Sequence, residues 1–471
     1  MPMTRISALI QHVTLSLLAT LAITGSVAAQ TPSQIERVGR FYQLHDGFNG
    51  SVTVIKNGRV VSNQMYGFAN FEWKIPLAAD SRMFIGSETK QFTAAAILLL
   101  QEQGRLRTGD PISKFYPAAP PTWNKITIHQ LLTHTSGIPD DIATAGYPMF
   151  ERGNHTPQEL VRAVADKPLL FTPGSSSAYS NLEYVLLGLI IEAASGRSYP
   201  DFLQHFIFDP LEMKDTGYIS NSGVIPHRAY GYSPMHGGVN LATESPEVWN
   251  FFAAGALYST GADLARWMIA LHGGKILSPA SYQEMVSADR DGYAYGLTVS
   301  TQYGATDIGH LGDVPGFHSA IEYFPKFKTG IIVLCNVRAT LGTVGSTPGV
   351  FAIDNELMQL AVDEHSIVRS SETAAKIPNA IMQSYVGRYT LQNADHPQSM
   401  TLEITGDILT IAPQGSGKSQ SILRAESPKR FYTVEWPGEV EFSSDPAGAT
   451  VMTVFNYANE TASTWIRAKD K

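Results

Sequence analysis

Between Phe92 and Leu100 the chain reads Phe-Thr-Ala-Ala-Ala-Ile-Leu-Leu-Leu, apolar on nearly every side of a helix. A helix of that kind is stable in water only when a domain core closes around it. Any fold open to this sequence is therefore built around a buried helix, with Gly86 allowing close backbone approach before its start and Gly104 available to end it. The turn that enters the helix is Ser87-Glu88-Thr89-Lys90. A serine and a lysine at i and i+3 share one helix face, so the amine reaches the hydroxyl. At the N-terminus of a buried helix, the helix dipole and the open backbone N–H groups favour developing negative charge, and desolvation lowers a lysine toward its neutral, proton-accepting form. On a surface helix the same tetrapeptide would be a solvated lysine beside a serine. The apolar run that follows favours an activated nucleophile instead.

The second element is Tyr179-Ser180-Asn181, between the loop 171–178 and an apolar helix over 184–191. On an extended loop a tyrosine and an asparagine at i and i+2 point the same way, offering one phenol and one amide. Alone, the pattern is too short to carry meaning. With Ser87-x-x-Lys90 before it and Leu131-Leu132-Thr133-His134-Thr135-Ser136-Gly137 between, the chain resembles the penicillin-recognising serine hydrolases. The branch it resembles holds class C β-lactamases, DD-carboxypeptidases, D-aminopeptidases and esterases. The ordered resemblance runs from about Gly50 to Asn336 and also takes in Pro173-Gly174 and Pro210-Leu211-Glu212-Met213. It implies an acyl-enzyme on Ser87, with Lys90 and Tyr179 sharing the proton transfers and the primary base open between them. It further implies that Asn181 binds the acyl-side amide and that the backbone N–H groups of Ser87 and Asp313 form the oxyanion hole.

The family's third element is usually Lys-Thr-Gly on the strand beside the active site, and Lys328-Thr329-Gly330 matches it letter for letter. Yet that triplet lies between two strand-like runs, 318–324 and 331–335, with Pro325 just before it, where a hairpin turn belongs. The better match is His310-Leu311-Gly312, because in the family the motif strand comes first and the strand pair follows. Lys328 is then a solvated turn lysine. Where relatives use the lysine charge and threonine hydroxyl to hold a substrate carboxylate, His310 is expected to be only partly charged near pH 7 and Leu311 has no hydroxyl. Carboxylate recognition is weakened rather than catalysis removed, with His310 and Gly312 lining the substrate and Gly312 letting the acyl group lie against the strand.

Other chemistries lack an anchor. There is no Gly-x-Ser-x-Gly elbow, no His-Glu-x-x-His, and one cysteine, Cys335, so a thiolate-rich zinc site is excluded and no metal or cofactor is expected. Cys335 reads as a small buried hydrophobe. His129 and His134 flank an apolar pair and read as structural rather than catalytic. Gly415-Ser416-Gly417-Lys418-Ser419 looks like the end of a phosphate loop, but Ala412 stands where the leading glycine is required, so a loop between strands is expected. With 34 Lys and Arg against 42 Asp and Glu, net charge −8, nucleic acid is not a partner.

Met1 to Ala29 reads as a cleavable secretory signal: Arg5, an apolar stretch from Val13 to Ile23, then Ser26-Val27-Ala28-Ala29. A periplasmic or secreted protein cut after Ala29, with no stable membrane anchor, is expected. At 471 residues and 44% hydrophobic content the chain can bury two cores. The first, over 31–360, is expected to be α/β (α+β), a β-lactamase/transpeptidase-like antiparallel sheet flanked by helices with an all-helical subdomain and a cleft between the halves; its sheet opens with a hairpin turning at Asn57-Gly58. A linker over 361–380 leads to short alternating runs over 381–471, which read as a small lipocalin-like β-barrel. The opening Tyr385-x-Gly387-x-Tyr389 is similar to the barrel appended to many of these hydrolases. The function expected is hydrolysis of amide or ester bonds in a small-molecule, peptide or ester substrate, of D-aminopeptidase, DD-peptidase or esterase type. The alternatives are a β-lactamase and a catalytically silent penicillin-binding-like sensor. Nothing in the sequence sets an oligomeric state.

Overall fold

In the computed structural model the described residues are 33–45, 47–140, 153, 155–220, 223–234, 240–242, 248–337, 349–363, 377–392, 398–405, 408–413, 421–433, 438–456 and 461–468. The expected signal segment, most of the expected linker and the Gly415–Ser419 string lie outside them. No helix among the described residues is long and apolar enough to cross a membrane.

Helix α1 (Gln34–His45) precedes the hairpin β1 (Gly50–Lys56) and β2 (Arg59–Tyr66), and the buried helix α2 (Thr89–Glu102) follows. Further along the chain, among other helices, are α3 (Asn181–Ser195) and α4 (Gly261–His272). Four strands then complete the sheet: β3 (Thr298–Gln302), β4 (Ala305–Val314), β5 (Phe317–Phe324) and β6 (Thr329–Cys335), before helix α5 (Gly349–Val362). The sheet runs in the order β3-β4-β5-β6-β1-β2, with every pairing antiparallel, so the neighbours β6 and β1 come from opposite ends of the domain. The hairpin does turn at Asn57-Gly58, where both residues take positive φ, 52° and 70°, as a tight two-residue connection requires.

Both sheet faces are covered. In β6, Ile332 and Leu334 join the core that contains α2 and α4, while Ile331, Val333 and Cys335 join the core under α1 and α5. That two-sided burial explains the continuous apolar run. Cys335 is buried, donates to Val337 O at 3.0 Å, and burial pushes its thiol up to about 11. The triplet Lys328-Thr329-Gly330 opens β6: Lys328 is exposed in the turn with φ 47°, and a Cβ on Gly330 would come within 2.0 Å of Met268 Sδ in α4. The glycine of that triplet is there for helix-on-sheet contact.

Helix α2 is buried from Thr89 to Leu98, and Phe92 packs on Trp267 with ring centroids 4.3 Å apart. It lies between the sheet and the helical region that contains α3, which ends at Gly196 in the left-handed conformation that suits glycine.

The C-terminal part is a closed barrel of eight antiparallel strands from Gly387–Leu391 to Thr461–Arg467, neighbouring strands in chain order. Its interior is filled by side chains including Leu402, Phe431, Phe442 and Trp465. Tyr385 stacks on Phe442 at 3.8 Å, Tyr389 donates to Tyr385 O at 2.9 Å, and the first and last strands close between Tyr389 and Arg467. Gly387, with φ 148°, admits the Arg467 side chain, whose Nε would be 2.8 Å from a Cβ there. The barrel meets the first domain at α1, where Ile422 and Tyr432 join Val38, Phe41 and Tyr42 in one core.

Candidate active site

The entry to α2 is shaped by two glycines. Gly86 has φ 51°, and a Cβ there would stand 2.6 Å from Asp313 N on β4. Gly312 faces the same segment: a Cβ on it would be 2.0 Å from Ile85 O, a carbonyl that Ser319 Oγ already binds at 3.0 Å. Gly312 thus admits the backbone before Ser87. Gly312→Ala forces strand and turn apart and should cost about 1–3 kcal/mol, read as a lower urea midpoint. An unchanged midpoint would mean that the strand and Ile85 are not in contact.

Gly86–Glu88 is a single 3₁₀ turn running into α2, and side chains at i and i+3 eclipse in that geometry. Lys90 Nζ consequently sits 2.9 Å from Ser87 Oγ, and 2.9 Å from both Asn181 Oδ1 and Ala254 O. Three acceptors match the three ammonium donors, and a neutral amine keeps two bonds while turning its lone pair toward the hydroxyl. Lys90 is fully buried, and burial lowers it from 10.5 to about 7 against the upward pull of Asp140 and Glu88. Beside it, Glu88 is buried, held by Gln91, and pushed well up by burial.

Tyr179 Oη donates to Ser87 Oγ at 2.8 Å, and the Lys90 ammonium lies 4.8 Å from the centre of its ring. Burial raises this phenol, the Ser87 hydrogen bond opposes the rise, and Asp140, Glu88 and Asp313 add to it. The residue is 46% exposed, so solvent tempers the rise, yet the phenol remains protonated at neutral pH. Asn181, which the family resemblance assigns to the acyl side of a substrate, has its amide bound at both ends: Oδ1 accepts from Lys90, and Nδ2 donates to Asp140 Oδ2 at 3.1 Å. Asp140 also takes the Asn181 backbone N–H at 2.7 Å, and so caps α3 where Ser180 provides no side-chain cap.

Under Tyr179 lies His134, with φ 56° and its ring 4.5 Å from those of both Tyr179 and Tyr293. His134 Nδ1 is 2.6 Å from Glu183 Oε2, and Ser136 donates to the other Glu183 oxygen. Burial drives His134 well down and Glu183 well up, so the pair is neutral. Its structural reading holds, although it supports Tyr179 directly. His129 meets Tyr295 Oη at 2.8 Å and Asp289 at 3.4 Å.

His310 differs from expectation. It is buried, its Nδ1–H donates to Leu311 O at 2.6 Å, and its Nε2 accepts from Tyr293 Oη at 3.0 Å. Burial, helped by the Lys90 charge, pulls it to about 3, so it is neutral near pH 7 rather than partly charged. Both ring nitrogens are committed within the protein. Leu311, 37% exposed, is the apolar face this strand turns outward. Strand β3 pairs with β4 only as far as Gly309, which leaves His310–Val314 without a strand partner on that side. Asp140 and Tyr293 carried no motif in the sequence, since each is defined by contacts made across the fold.

The family model described as Beta-lactamase matches residues 43–347. A penicillin-binding protein of Bacillus subtilis (strain 168) is 30% identical over 419 residues, covering 82% of this chain and 90% of its own. Among solved structures, the octameric penicillin-binding protein homologue from Pyrococcus abyssi superposes with TM-score 0.64 at 25% identity, over 92% of this chain and 99% of that one. The D-amino acid amidase from Ochrobactrum anthropi SV3, complexed with L-phenylalanine, gives TM-score 0.59 at 28% identity, over 65% of this chain and 92% of that one.

Proposed function

The chain belongs to the Beta-lactamase family of serine hydrolases, and from that premise we propose that it hydrolyses amide or ester bonds of D-amino-acid derivatives or short esters through an acyl-enzyme on Ser87. The observation that carries the reading is the fully buried Lys90 amine, 2.9 Å from Ser87 Oγ and lowered to about 7. Lys90, neutral, takes the Ser87 proton as Oγ bonds to the substrate carbonyl carbon. The backbone N–H groups of Ser87 and Asp313 hold the oxyanion, a role supported by the approach of Gly86 to Asp313 N. Tyr179, protonated, gives its proton to the departing nitrogen or oxygen as the carbonyl–leaving-group bond breaks, and Lys90 restores that proton. Water then cleaves the ester by the same groups in reverse. Asn181, bound to Lys90 and Asp140, orients the lysine.

Substrate preference follows from β4. Neutral His310 has no charge and no spare N–H to offer a carboxylate, and Leu311 adds none. A carboxylate placed there would be desolvated with little return. In a kcat/KM panel of a short p-nitrophenyl ester, a D-aminoacyl amide, a D-Ala-D-Ala peptide and nitrocefin, we expect nitrocefin last. Nitrocefin at the top would restore the β-lactamase reading. The amidase resemblance favours the D-aminoacyl amide over its L-isomer.

The two rival triplets separate by mutation. Lys328→Ala, in an exposed turn, should leave turnover intact and change stability by no more than about 0.5 kcal/mol. His310→Ala opens a void beside Tyr179, removes the Nε2 that Tyr293 Oη meets at 3.0 Å, and should lower kcat/KM severalfold. The opposite pattern would put the site strand elsewhere.

A further inference from the structure

A cleft of about 780 Å³ opens beside the short strand Met83–Phe84 that leads to Ser87, and none of Ser87, Lys90 and Tyr179 lines it. One wall is the segment Gly223–Tyr230; the other is formed by residues between Ala69 and Ser81. The two are joined by backbone: Arg82 N donates to His227 O at 3.0 Å, Ala229 N to Arg82 O at 2.9 Å and Tyr230 N to Ala69 O at 2.8 Å. The cleft is therefore framed by fixed chain.

Two donors line it unused. Arg228 makes no ion pair or hydrogen bond among the described residues, and its guanidinium lies 5.2 Å from the centre of the Tyr230 ring and 5.8 Å from that of Phe84. Its neighbour Arg82, by contrast, is met by Asp215 at 2.8 Å. Asn70 is buried and accepts from Trp73 N through Oδ1, which leaves its Nδ2 without a partner among the described residues. The other ionisable side chains in the walls are Asp80 and His227, and they meet each other at 2.5 Å. Around them stand Ile75, Val224 and Tyr230, exposed large apolar side chains. A planar five-donor cation held over aromatic faces, an amide donor and an apolar rim match a planar oxyanion on an apolar body.

We infer that this cleft binds a small organic carboxylate, its two oxygens on Arg228 and Asn70 Nδ2 and its apolar part against Ile75, Val224 and Tyr230. The inference is independent of the reaction assigned to Ser87. Such a carboxylate is either the far arm of a substrate or a free molecule.

The test is calorimetric titration of phenylacetate and phenylacetamide into the full chain and into Arg228→Gln and Arg228→Lys. Phenylacetate should bind at least about tenfold more tightly than the amide, Arg228→Gln should erase that difference, and Arg228→Lys should keep part of it. Equal binding of acid and amide, no binding of either, or a difference that survives Arg228→Gln would overturn the inference. Sources are told apart with p-nitrophenyl esters. Preference for an ester with a carboxylate-ended acyl chain over its carboxamide, lost in Arg228→Gln, identifies a substrate arm. A change in turnover of a neutral ester on adding phenylacetate, also lost in Arg228→Gln, identifies a free ligand.

Discussion

Ser87→Ala should abolish both covalent labelling by a fluorophosphonate probe and hydrolysis of every substrate in the panel, with the protein still folded. The side chain removed is the acceptor that Lys90 Nζ and Tyr179 Oη share, so the variant keeps the base and the acid without the hydroxyl between them. Loss of a nucleophile that acts as a unit with its base removes essentially all covalent catalysis. Intact-mass measurement after probe treatment reads the outcome directly. Labelling that persists in the folded variant would sink the assignment, and a wild type that never labels or turns over would favour the silent-sensor reading.

Lys90→Ala should lower kcat/KM by about a thousandfold or more, since both proton removal and nucleophile orientation go with it. A loss under tenfold would make Lys90 structural. The wild-type pH profile carries the same claim with a definite sign. Burial lowers Lys90 to about 7, so the amine is charged and unable to accept a proton below that value and neutral above it. Activity should therefore climb about tenfold per pH unit on the acid side and level off above pH 7. Tyr179, held protonated by its raised phenol, stays on the acid side of its titration over that whole range. Neutral His310 contributes no limb near 6.5. A profile that falls between pH 6 and 8 would contradict Lys90 as the base.

The Ser87–Lys90 pair was legible because an all-apolar helix leaves a charged residue at its start no solvent to reach. The turn at Lys328 was legible from Pro325 and the flanking strand runs, which outweighed a perfect letter match. What the sequence could not carry were states set by partners distant along the chain. His310 is neutral because of Tyr293 and burial, not because of its neighbours Gly309 and Leu311. Asn181 turns inward because Asp140, 41 residues earlier, caps its helix. For Gly312, only the position of Ile85 O shows what its missing Cβ makes room for. In the barrel, runs such as Met400–Ile404 and Val451–Phe455 announce themselves by alternation, whereas Thr461–Arg467 has little apolar content beyond Trp465 and Ile466 and becomes a strand through closure against Gly387–Leu391.

The sheet joins β1 to β6, and Asn49 bonds Asn336, 287 positions further along the chain. During synthesis, the apolar α2 is therefore made long before the strand that seals the sheet over it. Pairing over so long a span raises the contact order, which is expected to slow folding and to leave residues 92–100 exposed until the sheet is complete. Assembly of the Ser87 turn waits on the same event, because Ile85 O just before it is bound by Ser319 on β5 and Gly86 packs against Asp313 on β4. A nascent chain stalled before residue 310 would hold the nucleophile and its lysine in sequence and neither in place.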